Sequence, residues 1–296
     1  MKRNKKLGKA ISPVLSTVIL TSVMLIVALT IMGFANNVFS IQSDTTEFDQ
    51  AKNIVVNFAR IVDDVASKQG SSGYVRFNTR SGGPYFLSPA GSITVGYSTG
   101  TTYSYLLYNS RTNLFKYKAG SYASAPGRVV LSGNADKTII MNNEAPLGVV
   151  YTEQKDGAWV VMNFTRIGVL DLGTFNFSKG MDAQGRSKGF RLVNLIQVSY
   201  VNVTSGEWRG SGGINAVATC KNITTTYHWA SCPLQNPTDN NYNYPISFKV
   251  ILDGVETTSD VLVKGADKNY TENGKLVGID TMIMFINSNV EIDIVG

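Results

Sequence analysis

Between Lys9 and Asp44 the chain carries no charged residue, and that gap constrains everything around it. Ile11 to Phe34 reads ISPVLSTVILTSVMLIVALTIMGF, 24 residues of which thirteen are Val, Ile, Leu or Phe. As an α-helix at about 1.5 Å per residue this stretch spans about 36 Å, against about 30 Å of bilayer hydrocarbon. Pro13, Val14, Leu15, Val18, Ile19, Leu20, Val23, Ile26 and Val27 belong to it. Pro13 falls in the first turn, where a missing N–H costs least. The stretch is therefore read as a membrane-competent helix. Its basic flank is expected on the cytoplasmic side and the remaining chain outside.

The net charge of +6 has the same origin. Lys2, Arg3, Lys5, Lys6 and Lys9 supply five of those units, which leaves +1 for the remainder. The body thus offers no basic face for a phosphate backbone, and no nucleic-acid partner is expected.

Three fates of the N-terminus compete. A signal peptidase cut after Ala35 would use the small residues Gly33 and Ala35, but the apolar region is longer than the usual 7 to 15 residues. A permanent anchor needs no cut. A third reading places the cut before the apolar stretch. MKRNKKLGKA followed by ISPVLSTVILTSVMLIVA resembles the class III signal peptide of archaeal type IV pilins, whose basic leader is removed by a prepilin peptidase at a Lys-Gly or Lys-Ala junction. Lys9-Ala10 followed by Ile11 fits that junction, and Ser12-Pro13-Val14 matches the common start of the mature helix. The resemblance implies processing between Ala10 and Ile11. It covers about residues 1–35. Bacterial pilins carry a glutamate five residues into the mature chain; Leu15 stands there in this sequence, as in the archaeal branch.

Helical periodicity continues past the apolar stretch. Phe48, Ala51, Val55, Phe58, Val62 and Val65 recur at spacings of three and four, with Asp49, Lys52, Arg60 and Asp63 off the stripe. The stripe serves either packing on the chain's own head or contacts with neighbouring subunits. Asn36-Asn37 is a candidate break, with Asp44 and Thr45 placed to cap a second segment. Gln69-Gly70-Ser71-Ser72-Gly73 ends the helix. Ser12/Ser16 and Thr17/Thr21 put small residues on one face, as in packed membrane helices.

From Tyr74 onward the period becomes two, with Gly, Asn and Asp punctuation. Asp156-Gly157, Asp253-Gly254 and Asn273-Gly274 read as hairpin turns. The expected class is α+β: a long N-terminal membrane helix followed by a mainly antiparallel β-sandwich head, as one sandwich or two. The organisation reads as a leader over 1–10, a membrane or filament-core helix over 11–70 and a β-rich domain over 71–180. Residues 181–296 form a second β-rich domain or continue one larger head, with Lys179–Gly189 as the candidate boundary.

Little in the body suggests catalysis. His228 is the single histidine, and no Gly-x-Ser-x-Gly elbow accompanies it. No catalytic residue, metal site or cofactor is expected. Asp267 begins like a calcium loop, but Glu272 and Gly278 stand where Gly and Glu are required. Asp63-Asp64 reads as an exposed helix face. Cys220 and Cys232, outside the membrane on this topology, are expected to form a disulfide. Asn163, Asn176, Asn202, Asn222 and Asn269 head Asn-x-Ser/Thr acceptors for glycosylation, about as many as chance supplies. Trp229 to Tyr244, rich in Asn, Pro and aromatics, reads as a long exposed loop that suits either plain turns or sugar contacts.

The resemblance implies a structural subunit of a surface filament, held in the membrane before assembly and joined to its copies through the apolar helix, with a role in adhesion or attachment. The rival class is a solitary anchored binding module, for glycans among other ligands; an enzyme is not expected. A chain trimmed to begin near Gly73 is expected to fold on its own.

Overall fold

The computed structural model describes residues 7–99, 104–179, 189–209, 213–272 and 274–296, with side chains from Leu15 onward. One helix, α1 (Leu7–Ala66), precedes the strands. The first half of the body supplies β1 (Ser72–Phe77), β2 (Gly83–Ser98), β3 (Ser104–Lys118), β4 (Val129–Ser132), β5 (Ile139–Met141), β6 (Val149–Gln154), β7 (Ala158–Asn163) and β8 (Ile167–Ser178). The second supplies β9 (Phe190–Arg209), β10 (Ile214–Ala230), β11 (Asn243–Leu252), β12 (Val255–Lys264), the short pair β13 (Thr271–Glu272) and β14 (Lys275–Leu276), and β15 (Asp280–Val295). The result is the expected α+β class, a long apolar helix followed by a sandwich-like β head.

The helix does not break at Asn36-Asn37; it runs unbroken from Leu7 to Ala66. Asp44 is no cap. It is buried against the head, as described below. The exit is sharp: Gly70 has φ +79°, a conformation that favours glycine, and its N–H donates to the Cys220 carbonyl at 2.9 Å.

The strands form a six-stranded sheet, β1-β10-β15-β9-β8-β5, and a seven-stranded sheet, β12-β11-β2-β3-β7-β6-β4. The seven-stranded sheet is antiparallel throughout, whereas β15–β9 and β5–β8 pair in parallel in the other. Both sheets draw strands from both halves of the chain, so residues 71–180 and 181–296 are not separate domains. The candidate boundary instead joins β8 to β9, which pair with each other, and Lys179 N–H donates to the Gly189 carbonyl at 2.8 Å. Residues 180–188 lie outside the described residues. The Asp156-Gly157 and Asp253-Gly254 turns have positive φ at both positions, as two-residue hairpins with right-handed strand twist demand. Gly274 lies between β13 and β14, with Asn273 outside the described residues.

Two large apolar cores result, beside a small cluster of Val149, Tyr151 and Val161. One surrounds the C-terminal third of α1: Phe48, Ala51, Val55, Phe58, Val62 and Val65 pack with Phe115 and Tyr117 of β3, Val160 and Met162 of β7, and Val290, Ile292 and Ile294 of β15. Phe58 and Phe115 meet edge to face, with centroids 5.3 Å apart. The other core lies between the two sheets and contains Val95, Tyr97, Val198, Phe248, Ile283 and Phe285. Strand β15 serves both by switching its buried face at Asn287/Ser288, odd residues before the switch and even ones after it. The head therefore includes the end of the helix. This packing argues against the expectation that a chain beginning near Gly73 folds alone, because that cut removes one side of a core.

The disulfide expectation also fails. Cys220 and Cys232 are both buried free thiols. Cys220 lies in the helix core and Cys232 in the intersheet core. From Cys220 to Ala230 the chain is continuous strand. Ten residues at about 3.3 Å hold the two ends some 33 Å apart, far beyond the roughly 7 Å limit on Cα separation for a disulfide. Thiol titration after unfolding without reductant is expected to find both cysteines reactive; two unreactive sulfurs would contradict this topology.

Candidate functional site

The site begins with the residues that the head leaves uncovered. From Leu15 to Ser43, 29 residues and about 43 Å of helix, side chains are exposed or only partly covered. The large apolar ones point in every direction: Leu15 is 59% exposed, Val23 52%, Leu29 61% and Phe34 71%. Lys9, Ala10, Ile11, Pro13 and Val14 lie in helical backbone, and their side chains are outside the described residues. The segment is long and apolar enough to cross a membrane. Three of its hydroxyls are satisfied within the helix, Thr21 Oγ1 donating to the Thr17 carbonyl at 2.9 Å, Ser22 to Val18 at 2.8 Å and Thr30 to Ile26 at 2.8 Å. Such back-bonding removes the cost that a free hydroxyl would carry in hydrocarbon or in a dry bundle.

The first two acids after this segment, Asp44 and Glu47, fix it to the head. Both are buried. Glu47 Oε1 accepts from Tyr117 Oη at 2.6 Å and Gly82 N at 3.0 Å, and Oε2 accepts from Arg80 N and Ser81 N at 3.2 Å. Asp44 accepts from Ser81 Oγ at 2.6 Å and Tyr122 N at 3.0 Å. A Cβ on Gly120 would come within 2.4 Å of the Asp44 carboxyl, so only glycine admits this approach. Burial pushes the Glu47 carboxyl up, but the Tyr117 hydroxyl and three backbone N–H groups outweigh it and hold it below its ordinary value.

Because Glu47 is held low, its contribution to stability is present at neutral pH and is lost on acidification below the ordinary value of 4.5. Replacing Glu47 by Ala strands several buried donors. It is expected to cost about 2–3 kcal/mol at neutral pH and less in acid, measured by denaturant melts at both.

At the far end of α1, Asp63 is half-buried rather than exposed, and only Asp64 faces solvent. It borders a cavity of about 450 Å³ with Leu147, Ser199, Ile286 and Ser288. Burial raises its carboxyl to about 7, opposed by a Gly148 N–H and assisted by Asp64. A carboxyl raised in the folded state contributes most below its ordinary 3.8, and that contribution is lost as pH climbs toward 7. Asp63→Asn is therefore expected to flatten the melting profile across that window and to raise stability above pH 7.

The acceptor asparagines separate by environment. Asn176, Asn222 and Asn269 are exposed. Asn163 is half-buried, accepts from Thr165 N at 2.8 Å and precedes a buried Thr165. Asn202 is held by Asn289 at 2.9 Å. His228 sits on β10 beside Thr226 and against Tyr97, with no carboxylate or second acid–base group in contact with it among the described residues. No cluster of three metal-ligating side chains occurs among the described residues. The 231–242 segment joins β10 to β11, mostly exposed.

The periodicity located the stripe and the apolar run. It missed the Asp44–Glu47 cradle, whose partners lie 33 to 78 residues away in sequence. Compared with protein-family models, curated proteins and solved structures, the chain matches none.

Proposed function

We propose that this chain is a structural subunit of a pilin-like surface filament of the archaeal type IV kind, assembled through its N-terminal apolar helix. The observation that carries the reading is the division of one continuous helix. Residues 44–66 are built into the head, while Leu15–Ser43 bears large apolar side chains with nothing to cover them. Lipid covers such a segment before assembly, and a bundle of identical helices covers it afterwards. The head anchors its base through Asp44 and Glu47, a rigid junction suited to transmitting position from a filament core to an outer surface. Removing the leader between Ala10 and Ile11 by a prepilin peptidase erases five positive charges that otherwise hold the helix end at the cytoplasmic face. It also leaves Pro13 as the third residue of the mature chain, in the first helical turn. The head then faces the medium, where it serves attachment.

N-terminal sequencing of the mature protein tests this. A chain beginning at Ile11 is the expected result. A start at Met1 indicates a permanent anchor carrying a solitary binding head, and a start at Asn36 indicates a secreted one.

A further inference from the structure

The six-stranded sheet has a face that α1 covers only in part. Near the helix end, Val201, Val203, Ala218, Val290 and Ile292 pack under α1, and Ser288 Oγ donates to the Ala66 carbonyl at 2.7 Å. Beyond Ala66 the same face continues without a partner. Strand register aligns three rows on it. Trp229, Met282 and Leu195 are cross-strand neighbours, as are Tyr227, Met284, Gln197 and Leu170, and then Thr225, Ile286 and Ser199. The intervening Ile283 and Phe285 point the other way into the intersheet core. Trp229 is 50% exposed and Tyr227 59%, and the three β15 side chains are partly buried.

We propose that this uncovered face is the docking site for the charge-free helix segment of a second copy of the chain. The inference rests on the filament reading and supplies it with a partner surface on the head. Three arguments commit the occupant. The face is continuous with a helix–sheet interface already present in each protomer, so a second helix extends existing packing. Its dimensions fit one helix: three rows span about 13 Å along the strands and four strands about 14 Å across, against a helix diameter of about 10–12 Å.

Its chemistry fits as well. The rows contain no charge, and neither does the helix from residue 10 to 43. At the margins, Arg191 and Asp280 neutralise each other, and the half-buried Asp63 borders the row of Ser199 and Ile286. Methionines suit an adaptable protein contact. Arg191 lies over the Trp229 ring at 4.9 Å and occupies a face that sugar stacking would need. Helix segment and sheet face are different patches of one chain, so their pairing is head-to-tail, the kind that extends into a filament wherever the rotation between copies does not close a ring.

The test places a photo-reactive benzoylphenylalanine at Met284 in the full chain and maps cross-links in filaments assembled from isotopically mixed copies. Cross-links to residues 15–41 of a different copy are expected. Cross-links only to head residues, lipid or glycan, or none, would overturn the proposal. As a second arm, Met282→Lys with Met284→Lys is expected to reduce filament yield about tenfold with the head's melting unchanged. Normal yield from that variant, alongside loss of filaments in Val23→Asp, would overturn this surface and leave the filament reading standing. Absence of filaments from the unaltered chain would remove both.

Discussion

A fragment beginning at Gln42 is expected to be a soluble, folded monomer, and one beginning at Gly73 is expected not to fold. Phe48, Val55, Phe58, Val62 and Val65 are at most 5% exposed. At about 1.5–3 kcal/mol for each buried side chain they contribute about 8–15 kcal/mol, comparable to the entire 5–15 kcal/mol that stabilises an ordinary domain. The shorter fragment also strands the Ser81, Gly82 and Tyr117 donors that Glu47 satisfies. Residues before Gln42 bury almost nothing, so losing them removes the source of insolubility and leaves the core intact. The exposed sheet face does not drive dimers of this fragment, because its partner is the helix segment that has been removed. Circular dichroism melts and sedimentation of the two fragments decide the matter. A cooperative transition in the Gly73 fragment would contradict the core assignment.

Val23→Asp is expected to abolish assembly while leaving the head unchanged. Val23 is mid-segment and touches nothing in the head. A carboxylate costs about 2.5–3.5 kcal/mol at the centre of an apolar helix, and a bundle of copies adds repulsion between neighbouring carboxylates that dispersed helices in lipid do not feel. At tenfold per 1.4 kcal/mol, a penalty of that size on association weakens each subunit's addition about 60- to 300-fold. Filament mass recovered by sedimentation should fall below detection, and the melting curve of the head should coincide with that of the unaltered chain. Filaments forming normally would mean that assembly is driven elsewhere.

How much of this was legible in the sequence depended on whether the signal was local. The apolar run and the stripe from Phe48 to Val65 are periodic along the chain, and the structure buries every stripe residue. The Asp-Gly turns are equally local. Strands β8 and β10 carry no clean local signal. β10 reads INAVATCKNITTTYHWA, with threonines and amides where a half-buried strand shows clean alternation, and a bulge at Lys221 shifts its phase. The disulfide expectation rested on the compartment and not on local structure, and eleven intervening residues bring two cysteines together in a loop but hold them apart in a strand. The interleaving of halves depends on β2–β11 and β8–β9 pairing, which no local pattern encodes. Asp44 looked like a cap because its type suits one; its function is set by Ser81 and Tyr122, brought near only by the fold.

The central claim is that the uncovered helix exists to join copies of this chain. Filaments sheared from the cell surface and analysed by mass spectrometry test it most directly. The account predicts that they contain this chain, with an N-terminal peptide beginning at Ile11. Filaments without it, and the whole population in the membrane fraction with the leader still attached, would contradict the account.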